Sequence, residues 1–329
     1  MPVGVVTGFL GAGKTTLLRR VLRDPAWADS AVVINEYGEV PLDHDLVAAG
    51  DETFLSVATG CLCCVVRSDL TQTLLDLHRR RAAGDVPRYA RVLIETSGLA
   101  DPAPVLHALM LEAAMTETHR LQAVATLVDA QHGAGALDHH PEAQRQAMLA
   151  DRILLTKPDL APDTAALAAR LRALNPAAPI RPAVQGDVPP DWLFAPGQHA
   201  SDPTALAAWL ERAGTAARHS EGVTTMVIER ETPIPAMALT LWMQALAEHG
   251  GPKLLRMKGL VAIAEAGNDR PAAIHAIQHV VHPLEWLEGW PGADRRSRVV
   301  LIGQGIPRHW PARLLAAIEE EVAAVSAPR

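Results

Sequence analysis

Cysteine is scarce in this chain: three thiols in 329 residues, all between positions 61 and 64. Thiols so close in sequence staple no distant segments together, and an odd count leaves one without an intramolecular partner, which excludes a disulfide-held framework. A basic surplus is missing too. Thirty Lys and Arg stand against 37 Asp and Glu, a formal net charge of −7, which argues against nucleic acid or an anionic membrane as the main partner, since both favour a basic face. No run of about 18 apolar residues occurs, and no basic residue precedes the apolar start MPVGVV, so neither a membrane span nor an export signal is expected and the expected location is the cytoplasm. Internal repeats and low-complexity tracts are also lacking. What the chain does have is 49% apolar residues, enough at this length for about two cored domains whose partners are small molecules or proteins.

From residue 1 to 182, short β-branched runs (VGVVT, AVVIN, RVLIE, AVATLVDA, RILLT) alternate with amphipathic stretches such as KTTLLRRVL and SDLTQTLLDLHRR. That alternation predicts a parallel sheet covered by helices, and near-continuous apolar strands predict burial on both faces. A doubly wound α/β domain follows. Residues 183–221 are rich in Pro, Gly, Asp and Ala around one helical patch, ALAAWLERA, and read as a connecting region. In residues 222–329 strand-like and helix-like stretches (VTTMVIER, AMALTLWMQALAEH, LLRMKGLVAIAE, AAIHAIQHVV, SRVVLIG, RHWPARLLAAIEEEVAAV) predict a smaller α+β C-terminal domain.

Residues 8–15, GFLGAGKT, match G-x-x-x-x-G-K-S/T between the strand VGVVT and a helix starting near Lys14, the placement that a phosphate-binding loop requires. Gly8, Gly11, Ala12 and Gly13 supply backbone N–H groups to a nucleotide, and the helix N-terminus adds its positive dipole end. Lys14 is expected on the β- and γ-phosphates, the Thr15 hydroxyl on Mg²⁺, and Thr16 on the α-phosphate. In RVLIETSGLADP, Glu95 is the expected acidic partner, holding Mg²⁺ through water or positioning a nucleophilic water, and Gly98 can offer an N–H to the γ-phosphate. Asp101 reads as a cap of the next helix, with Pro102 at its first position. TKPD, residues 156–159, is similar to the N-K-x-D motif that reads guanine. Asp159 would accept from the N1–H and exocyclic amine, Lys157 would cover the base, and Thr156 stands where Asn is usual.

Thiols at i, i+2 and i+3 cannot all bond one another, but a turn can bring Cys61, Cys63 and Cys64 to one metal. A further ligand is then needed, and Glu39 in INEYGEV, on the loop after the second strand, is the candidate. Three buried apolar cysteines or a redox pair are the other readings. Mixed thiolate and carboxylate ligands suit Zn²⁺, while also accepting Co²⁺, Ni²⁺ or Fe²⁺.

Taken in order, GFLGAGKTTLL, INEYGEV, GCLCC, IETSGLADP, VDAQHG, ADRILLTKPDL, LLRMKGLVAIA and IHAIQHVVHP resemble the CobW-type family of GTPases, which includes zinc metallochaperones and proteins named for cobalamin synthesis. The resemblance runs from residue 3 to about 303. It implies slow hydrolysis of GTP to GDP and phosphate, with metal at Cys63 and Cys64 first and then Cys61 and Glu39. It also implies delivery of that metal to a client metalloprotein, through the C-terminal domain. The family's occasional His-rich loop has no counterpart here. His139 and His140 are expected on a solvated loop. His275, His279 and His282 are expected on a strand, the first two sharing a face, in packing or client contact rather than as a second metal site. Trp286 and Trp290 are expected in the core or an interface. Three alternatives stand beside the metallochaperone reading: a GTPase activator for cobalt, iron or nickel insertion into a cofactor or metalloenzyme; a small-molecule kinase sharing the phosphate loop; and a metal buffer without a nucleotide cycle.

Overall fold

The computed structural model describes residues 1–35, 70–161, 163–195 and 223–326, with part of a helical stretch between 204 and 211. The expected metal residues Glu39, Cys61, Cys63 and Cys64 lie outside the described residues. The chain divides into two compact units, one of residues 1–168 and 179–195 and the other of residues 169–178 and 196–329.

In the first unit the elements run β1 (Pro2–Gly8), α1 (Lys14–Arg23), β2 (Ser30–Asn35), α2 (Leu70–Ala83), β3 (Arg91–Thr96), α3 (Ala103–Leu111), α4 (Ala113–Thr118) and β4 (Arg120–Asp129). They continue with α5 (Gly133–His139), α6 (Pro141–Leu149), β5 (Arg152–Thr156), α7 (Ala165–Leu174), whose last turns fall in the second unit, β6 (Ile180–Ala183) and α8 (Pro190–Phe194). The six strands form one parallel sheet in the order β2-β3-β1-β4-β5-β6. β2 and β3 lie on one flank of β1 and β4 to β6 on the other, so the chain leaving the carboxyl end of β1 enters the crevice where ligands of such sheets bind. The apolar strand runs are buried as expected: Val3, Val5 and Val6 of β1 and Val92 to Ile94 of β3 are at most 1% exposed. In α1 the buried Leu17, Leu18 and Val21 share one face, and Arg20 and Arg23 occupy the last turn, where the helix dipole favours positive charge.

Two features depart from expectation. A sixth strand, β6, was not foreseen: it is four residues long with Pro182 inside it, a residue that edge strands tolerate. Residues 184–195, read as connecting chain, pack into the first unit. Leu193 and Phe194 are buried there, the Phe194 ring fills the space above Gly4, and the Trp27 indole donates to Asp191 at 3.0 Å.

The second unit contains β7 (Val223–Arg230), α9 (Ala236–Gly250), β8 (Leu254–Ile263), β9 (Gly267–Ile277), β10 (Val280–Val281), β11 (Glu285–Trp286), β12 (Ser297–Gln304) and α10 (Trp310–Ser326). Its antiparallel sheet has the order β10-β9-β8-β12-β7, with β11 beside β9. Trp242, fully buried, anchors α9 with its indole donating to Pro311 O at 2.8 Å. Together with Met257, Val261, Ile274 and Leu301 it builds the core, each large side chain contributing about 1.5–3 kcal/mol on burial. Trp286 is 45% exposed and is not a core residue. AAIHAIQHVV is a tight hairpin rather than one strand, turning at Gln278 and His279 with Gln278 at φ 52. Consequently His275 faces His282, the rings 3.8 Å apart, while His279 sits exposed in the turn. Among the described residues, no helix is long and apolar enough to cross a membrane.

A buried imidazole at the amino end of β4 gives a first prediction. His119 is 2% exposed. Burial first, then the positive charges of the Met1 amino group and His78, push its pKa down to about 4. The folded state holds this ring neutral, whereas the unfolded chain takes up a proton below the ordinary value near 6.5. The stability it contributes is therefore complete above pH 6.5 and is lost as pH falls toward 4, with a slope approaching about 1.4 kcal/mol per pH unit. Thermal melts from pH 7.5 to 4.5 should show a shallower acid loss for His119→Leu than for wild type. Parallel curves would place the acid sensitivity elsewhere.

Candidate functional site

Among the described residues, the nucleotide-site residues expected in the first unit lie at the carboxyl ends of β1, β3 and β5. After β1 the chain turns through Gly8 to Gly13 into α1. Gly8 has φ 146, and a Cβ there would lie 2.4 Å from Leu127 O on the neighbouring β4, so no other residue fits. Gly11 and Gly13 also have positive φ, and the Ala12 N–H closes the loop onto Phe9 O at 3.1 Å. Lys14, 9% exposed, curls back over the loop and donates to Gly8 O at 2.9 Å. Its ammonium is thereby held against the loop's own carbonyls, with Phe9 O at 3.5 Å.

From β3, the buried Glu95 accepts the Thr15 hydroxyl at 3.0 Å, so the two oxygens expected around a cation are brought together. The next residues run tight against the phosphate loop: a Cβ on Gly98 would meet the Leu10 side chain at 2.7 Å and Leu10 N at 2.8 Å. Asp101 caps as expected, accepting the Ala103 N–H at 2.9 Å, and it also pairs with Arg145 at 3.1 Å.

From β5, the Thr156 hydroxyl donates to Ala12 O at 2.9 Å, tying this strand to the phosphate loop. Lys157 adopts a left-handed conformation, φ 54, which carries its side chain across the loop to Gly11 O at 2.8 Å and Asp129 at 2.7 Å. Asp159 follows in a 3-10 turn, Pro158–Leu160, and is exposed.

Sequence reasoning gave no role to Asp129, the last residue of β4. Its Oδ1 accepts the N–H groups of Gln131 and His132 at 2.8 and 3.3 Å, and its Oδ2 accepts from Lys157. Burial pushes this carboxyl up. The hydrogen bond from Lys157 and those from the two N–H groups outweigh burial and hold it below its usual range. An aspartate ending a strand beside β1 was the available signal.

The expected histidine groupings are rearranged. His139 ends α5 instead of lying on a loop, and His140 stacks on Phe9 of the phosphate loop, the rings 4.4 Å apart. Among the described residues, no group of three or more His, Cys, Asp or Glu is placed to hold a metal ion, His275, His279 and His282 included.

Comparison with known proteins agrees with this geometry. Residues 2–182 match the family described as CobW/HypB/UreG, nucleotide-binding domain, and residues 223–319 match the Cobalamin synthesis protein cobW C-terminal domain. The Zinc chaperone YjiA of Escherichia coli (strain K12) is 31% identical over 305 residues, 93% of this chain and 94% of that protein. The crystal structure of Zn(II)-bound YjiA GTPase from E. coli superposes with a TM-score of 0.72 at 29% identity, covering 97% of this chain and 98% of that one. A Zn(II)-bound triple mutant of the same GTPase, with one glutamate and two cysteines replaced by alanine, gives a TM-score of 0.69 at 26% identity, covering 97% and 99%. This chain belongs to the CobW/HypB/UreG family and carries the CobW C-terminal domain after its nucleotide-binding domain.

Proposed function

We propose that this protein is a GTP-hydrolysing metallochaperone that binds zinc and hands it to a client metalloprotein. One observation carries the reading: the carboxyl ends of β1, β3, β4 and β5 converge on a single phosphate loop whose Lys14, Thr15–Glu95 pair and Lys157–Asp129 pair are already in place. The names of the relatives support the choice of GTP and zinc.

In this reading the N–H groups of Gly8, Gly11, Gly13, Lys14, Thr15 and Thr16 and the Lys14 ammonium receive the phosphates, positioned before the charge of the transition state develops; the expected Ala12 N–H is instead spent on Phe9 O. Mg²⁺, which neutralises phosphate charge when bound, fits the Thr15 hydroxyl and the Glu95 carboxylate. The Glu95 carboxylate would also accept from and orient a water, and the Gly98 N–H would meet the γ-phosphate. Asp159 reads guanine, with the Lys157 stem against the base. Zinc is cargo, assigned to Cys61, Cys63, Cys64 and Glu39 on the chemistry of their side chains; Co²⁺, Ni²⁺ or Fe²⁺ would suit the same ligands. The client is assigned to the C-terminal domain.

The relative that is still Zn(II)-bound after losing one glutamate and two cysteines means that the test must separate zinc held at the cysteines from zinc held elsewhere. Zinc should be titrated against a chromophoric chelator on GTP- and GDP-loaded protein, for wild type, Cys63→Ala and Glu39→Ala. Affinity should differ between the nucleotide forms by about 5- to 150-fold and fall at least tenfold in Cys63→Ala. About one proton should be released per coordinating cysteine near pH 7. Equal affinity in the two forms would leave a passive zinc site on a GTPase. Unchanged affinity in Cys63→Ala would move the ligands elsewhere.

A further inference from the structure

The side chain of Gln146, on α6, is 1% exposed, yet nothing in the reaction so far uses it. Its amide nitrogen donates to two carbonyls of one loop, Gly98 O at 3.1 Å and Ala100 O at 3.0 Å. That spends both donors of the amide on the segment after β3. The helix is itself pinned, because the Thr126 hydroxyl of β4 donates to Gln146 O at 2.8 Å. At its other end α6 begins beside His140, whose ring stacks on Phe9. Phe9, Leu10, Ala12, Asp129 and Gln146 line one small cleft beside the phosphate loop.

We infer that Gln146 is a positioning residue for hydrolysis: it holds the Gly98 loop at the height where that loop's N–H meets the γ-phosphate, and it couples this loop through α6 to the phosphate loop. The inference rests on the GTPase reading above. Two carbonyls held by one buried amide fix how the Gly98–Leu99 and Ala100–Asp101 peptides are rotated, and Gly98 already packs against Leu10 with no room for a side chain. A loop set by three such restraints has little freedom to slide. A displacement of about 1 Å at a reacting centre is enough to cost roughly 10²-fold in rate.

The arrangement separates Gln146 from a residue that only stabilises the fold. GDP has no γ-phosphate, so loosening the Gly98 loop should leave GDP binding alone while slowing GTP turnover. Gln146→Met removes both donors at similar size. Gln146→Glu keeps the shape but sets an anion against two carbonyls, and only its protonated form can donate, to one of them. Steady-state GTP hydrolysis, GDP affinity and melting temperature should be measured for both variants and wild type, with hydrolysis followed from pH 8 to pH 6. We expect kcat to fall at least tenfold in each variant with GDP affinity within about twofold of wild type. In Gln146→Glu, part of the lost rate should return as the pH is lowered, a signature absent from Gln146→Met. Unchanged kcat in both variants overturns the inference. So does a parallel fall of kcat, GDP affinity and melting temperature, or failure of both variants to fold, since each assigns Gln146 to stability alone. Absence of GTP turnover in the wild type would instead overturn the GTPase reading itself.

Discussion

Lys14→Ala is expected to lower GTP turnover by 10²-fold or more and to weaken GTP binding, the largest effect of any substitution considered for this protein. The size follows from where the ammonium is held. It is nearly buried and anchored to Gly8 O at 2.9 Å, which holds it over the loop. A charge preorganised in a water-poor site is worth far more than one in solvent, and removing one such donor typically costs 10²- to 10³-fold. The anchoring bond is also lost, so a melting curve must accompany the kinetics. A fall in rate with the melting temperature nearly unchanged isolates the electrostatic role. Turnover equal to wild type would remove the phosphate loop from the mechanism.

The parts of this site that were legible in the sequence are those that are local in the chain. The phosphate loop announces itself because its glycines, lysine and threonine serve one stretch of eight residues, and the strand before it and helix after it are strongly patterned. Strands buried on both faces are equally plain. What escaped is what depends on neighbours in the sheet. Asp129 acquires its partner Lys157 only because β4 and β5 lie side by side and end at the same level. Gln146 reads as an ordinary helix residue until β3 and α6 are brought together around Gly98. β6 carries only four residues with a proline among them, too short and too interrupted to show a pattern.

The histidines make the same point through register. As one strand, residues 272–281 would place His275 and His279 on a common face. The chain reverses at Gln278 and His279 instead, with Ile277 opposite Val280, so the residue opposite His275 is His282. A turn of two residues changes which side chains meet.

Asp159→Asn should convert the base preference of this site. Thr156 and Lys157 spend their polar atoms on the phosphate loop and Asp129, so the proposed reading of the base rests on Asp159. A carboxylate there accepts from both the N1–H and the exocyclic amine of guanine, and the amide of asparagine, carrying donors of its own, cannot repeat both. Hydrogen bonds to a charged acceptor contribute about 1.5–3 kcal/mol each. Asp159 is exposed, so the lower end applies, and two such bonds amount to roughly 3 kcal/mol, or about 10²-fold in affinity. GTP binding should fall by about that factor, and xanthosine triphosphate, whose 2-oxo group accepts from the new amide, should gain. The exposed turn predicts an unchanged melting temperature, which separates this loss from unfolding. Wild-type protein should also bind GTP in clear preference to ATP. Should the variant keep full GTP affinity, or should ATP compete equally with GTP on the wild type, TKPD is not the base reader. Transfer of phosphate to an acceptor other than water would then become the reaction to look for.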